Sequence, residues 1–331
     1  MQCPHCHRET VVKNGTRRLQ DEQVVQYYRC RDCHRNFNER TGTPMARLRT
    51  PSRVVELALK NRSEGMGARA TGRVFDQSHT TILQWEARLA EHADAWSPPA
   101  PAGREVTLEG DEVYTRVGEN LPAADSEGWT LTFFERESRY WVTALAGQKD
   151  EELFKQGTET TWNWAQGADF IRWFTDGERR YGQALWPLAS EYLPERGLAI
   201  SYPYRKVWRE GLEVAMKIKG SQGKPRVEWV KVDHPFTAIS PSSEVHANHN
   251  EAHNAALRRR CSAYRRRQNL YAKAKTALQR TLDVQRLIHN WVRPHWSLGG
   301  KVTPAVAMGF ISRPVTMRKL LNSRGFEAIH L

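Results

Sequence analysis

Two cysteine pairs in the first tenth of the chain, Cys3-Pro-His-Cys6 and Cys30-Arg-Asp-Cys33, constrain this sequence more than any other feature. Two C-x-x-C knuckles with 23 residues between them can place four thiolates at the corners of a tetrahedron, which is what a structural Zn2+ ion requires. The strand-like stretch Gln23–Arg29 predicts a hairpin in the gap. Two disulfides are the competing use of these thiols, and a reducing compartment disfavours them. His5, His7 and His34 are expected as bystanders on the knuckles, and Cys261 as a small helix residue rather than a nucleophile. A module of about 45 residues buries too little apolar surface to fold alone, so zinc should be its main staple.

Behind it, Val54, Val55, Leu57, Ala58 and Leu59 after Pro51 predict a first helix. Gly65 and Gly67 break it, and Ala68–Phe75 predicts a second. Ser78 is a good N-cap for a third helix carrying Ile82, Leu83, Trp85 and Leu89. Three short helices of this kind describe a helix-turn-helix, whose last helix enters the DNA major groove. His79, Thr80, Thr81 and Gln84 at its N-terminal end are the expected base readers. The stretch Ser97-Pro-Pro-Ala-Pro-Ala-Gly103 then reads as a stiff linker.

Beyond the linker the pattern is mixed. Val106–Tyr114, Trp129–Glu135 and Tyr140–Ala146 predict strands, and Asp150–Ala165 a helix. Ile171–Thr175 predicts a strand ending at Asp176-Gly177, followed by a helix near Tyr181–Tyr192 and further strands at Leu198–Tyr204 and Val227–Val232. This order is that of the ribonuclease H-like fold: a mixed α/β sheet with Asp111 on its first strand and Asp176 just after the fourth. Two such carboxylates with a third can hold a pair of Mg2+ (or Mn2+) ions about 3.5–4 Å apart for phosphodiester displacement. Glu251, in the first turn of a helix capped by Asn248 or Asn250, is the expected third acid. Glu109 and Glu112 are weaker alternatives on the first strand, and Glu244 for the third acid.

These segments resemble the transposases of the insertion-sequence-one family, of the DDE group. Asp111-Glu-Val-Tyr114 with Trp129-Thr130, Phe174-Thr-Asp-Gly177 with Tyr181, and Glu251-Ala-His-Asn-Ala-Ala-Leu-Arg258 carry the match. The cysteine module with Arg40-Thr-Gly-Thr-Pro-Met45 and the three helices behind it also resemble that family's end-binding module. The resemblance implies a metal-dependent nuclease and strand transferase, with Asp111, Asp176 and Glu251 catalytic, that binds its own element's ends. Glu178 stands where the family usually has Trp, and His289-Asn-Trp-Val-Arg-Pro-His295 with Thr303-Pro-Ala305 looks more like integrase-type transposases.

The expected domains are a zinc ribbon over 1–46, the helix-turn-helix over 47–96, the linker over 97–104, the catalytic domain over 105–310 with a long basic helix, and a tail over 311–331. Charge agrees with a nucleic-acid partner. Residues 251–331 carry sixteen basic side chains against three acidic, whereas 96–250 carry eighteen against twenty-three. Arg258, Arg259 and Arg260, followed seven residues on by Arg265, Arg266 and Arg267, predict a basic wall along one helix. Leu270, Ala274, Ala277, Thr281, Val284, Ile288 and Trp291 predict an apolar stripe after it. The expected partners are double-stranded DNA, as element ends and target, and further copies of the chain, a dimer or larger. No run of about 18 apolar residues and no basic-then-apolar leader are present, so a cytoplasmic, nucleoid-associated location is expected. A regulator that binds DNA through the front modules, with an inactive nuclease-like domain, is the competing reading.

Overall fold

Strand-forming residues between the cysteine pairs make a small antiparallel sheet, β1 (Val11–Arg18), β2 (Val24–Cys30) and β3 (Asn36–Asn38). The computed structural model describes residues 1–19, 23–192, 206–217, 230–231, 237–265 and 269–329. They fall into two units, Met1–Ser97 with Asp283–Ile288 and Val315–Leu331, and Pro98–Leu282 with His289–Pro314. The sheet's core is little more than Cys3, Cys30 and Phe37, with Tyr28 stacked on Phe37 at 5.6 Å. Three helices follow, α1 (Ser52–Ser63), α2 (Ala68–Val74) and α3 (His79–Ala90). Val55, Ala58, Leu59, Ile82, Trp85 and Leu89 are buried, and Arg62 pairs with Glu86 at 2.7 Å between α1 and α3. The α2–α3 turn is tight. A Cβ at Gly72 would lie 2.6 Å from the Gln77 carbonyl oxygen, and Asp76 takes a left-handed φ of 51°.

In the second unit β4 (Glu105–Tyr114), β5 (Trp129–Glu135) and β6 (Trp141–Gly147) run antiparallel. After α4 (Glu151–Ala165), β7 (Phe170–Asp176) returns parallel to β4. The helix expected to reach Tyr192 is α5 (Arg179–Ala189), and Ser190–Tyr192 is instead β8, paired with β9 (Lys206–Trp208). β10 (Leu212–Lys217) joins β7 in parallel, and β11 (Val230–Lys231) closes the edge. The order is β11-β10-β7-β4-β5-β6. Sequence patterning missed β10, because Glu213 interrupts an otherwise apolar strand; its buried carboxylate accepts from the Ser240 amide and hydroxyl at 2.7 Å each. The strand expected at Leu198–Tyr204 lies outside the described residues, as do 227–229 and 232 of the one at Val227–Val232.

Strand alternation sends successive β5 side chains to opposite faces. Leu131 and Phe133 meet α4 and α5, where Phe133 packs on Tyr181 at 5.5 Å and Phe154 on Tyr181 at 4.9 Å. Thr132 and Phe134 face α6 (Asn248–Arg260), Thr132 through Asn250 and Phe134 through His253. A register irregularity opposite Phe133 and Phe134 turns Trp141 to that same face.

α6 stops at Arg260, which corrects the expected long helix. Cys261 is extended, and Cys261, Ala263 and Tyr264 are buried with Val113 and Val117. The Thr115 hydroxyl donates to the Ala263 carbonyl, and the Thr130 and Tyr264 hydroxyls bond to each other. Those contacts end the helix, so Arg265 cannot continue the face of Arg258–Arg260. Arg266 and Arg267 lie outside the described residues. α7 (Lys275–Leu287) begins after the expected start of the stripe: Leu270 and Ala274 are exposed, and Leu278 and Leu282 fill the core instead. Val284, Ile288 and Trp291 are buried as expected. Among the described residues no helix is long and apolar enough to cross a membrane.

Candidate metal centres and nucleic-acid surface

The two knuckles meet. Cys3 and Cys33 sulfurs lie 3.6 Å apart, as do those of Cys6 and Cys30, and all four are free thiols within 4.8 Å of one another. A tetrahedral zinc thiolate with bonds of about 2.3 Å has edges of about 3.8 Å, whereas a disulfide is about 2.05 Å. The donor set and spacing therefore fit Zn2+. The knuckles repeat one another: the Cys3 amide donates to the Arg8 carbonyl and the Cys30 amide to that of Arg35. His7 and His34, each following a second cysteine, take left-handed φ of 58° and 56°. The Cys33 amide is the main influence drawing the Cys30 thiol down to about 7, while its neighbour Cys6 goes up, burial and the other thiols outweighing the Arg8 backbone contact.

On α3, Ser78 caps the helix by accepting from the Thr81 amide at 3.0 Å. Its hydroxyl also bonds those of Thr80 and Thr81, at 2.7 and 2.8 Å. Of the four expected readers, Thr80 and Thr81 thus share their hydroxyls with the cap, while His79 and Gln84 are exposed.

The second centre forms where the sheet splits. β4 pairs with β7 as far as Gly110 opposite Thr175, then continues beside β5 alone to Tyr114. Asp111 and Asp176 are the next residues in register, so the parallel pairing brings together two acids with 64 residues between them. A Cβ at Gly110 would approach Phe133 to 2.7 Å, so the strand leading to this split can be drawn in only with glycine there. Asp111, Glu112 and Asp176 each offer a carboxylate oxygen within 4.8 Å of the others'.

α6 is fastened to β4 from Glu109 to Asp111. The buried Glu109 carboxylate accepts from the amides of His249 and Asn250, at 2.9 and 3.0 Å, and pairs with Arg136 at 2.7 Å. Glu109, not Asn248 or Asn250, therefore caps this helix, which has no side-chain cap of its own. Buried Asn250 donates to the Glu109 and Thr132 carbonyls at 2.8 and 3.0 Å. One turn on, the Asn254 amide donates to Asp111 Oδ2 at 2.8 Å. Two asparagines four apart on one helical face signal such a contact, but the sequence reading took Asn250 as a possible cap and gave Asn254 no role. Glu251 is exposed in the first turn of α6, three residues before Asn254, and does not belong to the 4.8 Å group.

Glu112 and Lys149 are the other side of the centre. Glu112 is buried, and burial, then the neighbouring Asp176 charge, pushes its carboxyl upward. Lys149 Nζ, 2.9 Å from Glu112 Oε2, pulls it back. Glu178 caps α5 by accepting from the Arg180 amide at 3.3 Å and pairs with the Arg180 guanidinium at 2.7 Å.

A ring stack lies behind α6. His253 packs on Phe134 and Trp141, each at 4.2 Å, and on His289 at 5.1 Å. His289 Nε2 is 2.8 Å from the Arg139 carbonyl and donates to it as the neutral imidazole. Burial drives the His289 pKa down to about 3, with His295, Arg293 and Arg260 adding like charge. A histidine depressed this way stabilises the fold above its ordinary pKa of about 6.5, and the contribution fades as pH falls toward about 3, at about 1.4 kcal/mol per unit. Thermal melts of the chain should therefore fall steeply across that window. His289→Gln, which keeps a donor for Arg139, should make the slope shallower; an unchanged slope would place the acid sensitivity elsewhere.

No family model matches the chain. Over 117 residues, 35% of its length, it is 31% identical to an uncharacterized protein in transposable element ISH50 of Halobacterium salinarum. That match spans 37% of the relative's own length. Among solved structures, the Drosophila P element transposase strand transfer complex aligns over 51% of this chain and 42% of that one, at 13% identity and a TM-score of 0.28, too slight to argue from.

Proposed function

We propose that the chain is a transposase of the DDE kind, which binds the ends of its own mobile element through the front modules and cuts and joins DNA at the split between β4 and β7. The observation that carries the reading is the register of those strands, which sets Asp111 beside Asp176 with Asn254 holding Asp111. The β6-β5-β4-β7-β10 order, with β4, β7 and β10 parallel, supports a ribonuclease H-like assignment. The similarity to a protein in a transposable element points the same way.

The residues fit a divalent cation. Three hard oxygen donors converge, and the Glu112 side chain among them is 4% exposed. Asp111, Asp176 and Glu112 would hold it, with Glu251 brought to the same end of the sheet by α6. When bound, Mg2+ or Mn2+ supplies charge that favours the attacking oxygen and the leaving one. The chain's own part is positioning. Glu109 and Asn250 fix α6 on β4, Asn254 orients Asp111, and the Asp176 Oδ1 accepts from the Glu178 amide at 3.1 Å. Arg258, Arg259 and Arg260 leave α6 as cations for the phosphate backbone, and His79, Thr80, Thr81 and Gln84 remain the proposed readers. Zn2+ on Cys3, Cys6, Cys30 and Cys33 would hold the ribbon, and assembly on paired ends would take at least two copies.

The test is incubation of the full chain with Mg2+ and DNA carrying the element's ends, followed by mapping of products. Nicks at the end sequences and joined strands are expected. Specific binding with no cleavage would favour the regulator.

A further inference from the structure

Lys149 sits against the acids, and the metal reading gives it no task. It stands two residues after β6, and its ammonium lies 2.9 Å from Glu112 Oε2 and 3.8 Å from Glu178 Oε2. The same Nζ is 4.7 Å from the centre of the Trp129 ring. That ring is itself fixed, its Nε1 donating to the Ala123 carbonyl at 2.7 Å and its face against Tyr114 at 5.2 Å. The Glu112 side chain is 4% exposed and that of Lys149 23%. A buried carboxylate needs a counter-charge, because leaving it unpaired is strongly destabilising. Lys149 supplies the charge through Oε2, and the buried Tyr181 hydroxyl is the other group against this carboxylate.

We propose that Lys149 is a built-in counter-cation that competes with the divalent ion for Glu112: it holds this carboxylate beside Asp111 and Asp176 while the centre is empty, and yields it when an ion arrives. This rests on the reading of the acids as an ion-binding centre. The geometry provides for the exchange, because the released ammonium still has the Glu178 carboxylate and the Trp129 ring within reach. Two cations cannot share one buried carboxylate without mutual repulsion, so the ion's affinity includes the work of displacing Lys149. A purely structural pair would behave in the opposite way, and its loss would loosen Glu112 and weaken the ion.

The experiment uses the full zinc-loaded chain, with Mn2+ binding followed by calorimetry and melting followed with and without Mn2+. Lys149→Met should bind Mn2+ at least about tenfold more tightly than wild type, the screened repulsion of a half-buried cation being worth that much or more. Without Mn2+ it should melt lower than wild type, and Mn2+ should raise its melting temperature by more. Lys149→Arg should keep wild-type affinity, and adding Glu112→Gln to Lys149→Met should erase the gain. Unchanged or weaker Mn2+ binding by Lys149→Met, with wild type binding normally, overturns the competition and leaves the metal centre standing. No Mn2+ uptake by either chain overturns both.

Discussion

Asp176→Asn is expected to fold, to bind DNA ends, and to cut them at least about a thousandfold more slowly, a loss on the order of 4 kcal/mol. Asn keeps the shape and removes the charge. Its side-chain oxygen can still accept from the Glu178 amide, so the turn after β7 and the start of α5 should survive. What goes is one of the converging negative oxygens on which ion affinity depends. Glu251→Gln should be comparably inactive although its carboxylate lies outside the 4.8 Å group, because in the proposed site it is the acid that α6 would add to the ion's ligands. Combining the two should add little, since residues of one site act as a unit. Glu178→Gln is the control. It touches Asp176 only through its amide, and its side chain is engaged with Arg180 and lies 3.8 Å from Lys149 without offering the ions an oxygen, so it should keep most of the cleavage rate. Single-turnover rates on end-bearing DNA check all four; loss in Glu178→Gln alone would mean that the wrong acid has been assigned.

Cys30→Ser should release the zinc and unfold the ribbon. Structural zinc contributes on the order of 10 kcal/mol to folding in small modules, and the apolar cluster at the knuckles is small: Cys3, Cys30 and Phe37 with a few half-buried neighbours. Elemental analysis should fall from one zinc per chain to near none, and sequence-specific end binding should fail. The melting of the second unit, which has its own core, should be kept. A full zinc content in the variant, or none in wild type, would contradict the assignment.

The sequence carried the parts of this account that depend on local pattern. Trp129–Glu135 is a strand at the expected bounds, and Ser78 caps α3 as its position implies. The meeting of Asp111 and Asp176 was legible once the element order was read as a ribonuclease H-like layout, in which the first and fourth strands are neighbours, as β4 and β7 are. Three features were not legible, each for a tertiary reason. β10 hides behind Glu213, whose partner Ser240 is distant in sequence. The arginine triplets read as one helix until the burial of Tyr264 beside Thr130 bends the chain away. Glu109 looked like a spare acid because a cap contributed by another element leaves no mark near the helix it caps.

Whether Asp111 and Asp176 hold a divalent cation is decided by counting Mn2+ bound to the zinc-loaded chain. Electron paramagnetic resonance titration of wild type and Asp176→Asn, both shown to be folded, makes that count. Saturable Mn2+ uptake is expected of wild type, abolished or weakened by orders of magnitude in Asp176→Asn. Equal uptake by the two chains, or none by wild type, would contradict it.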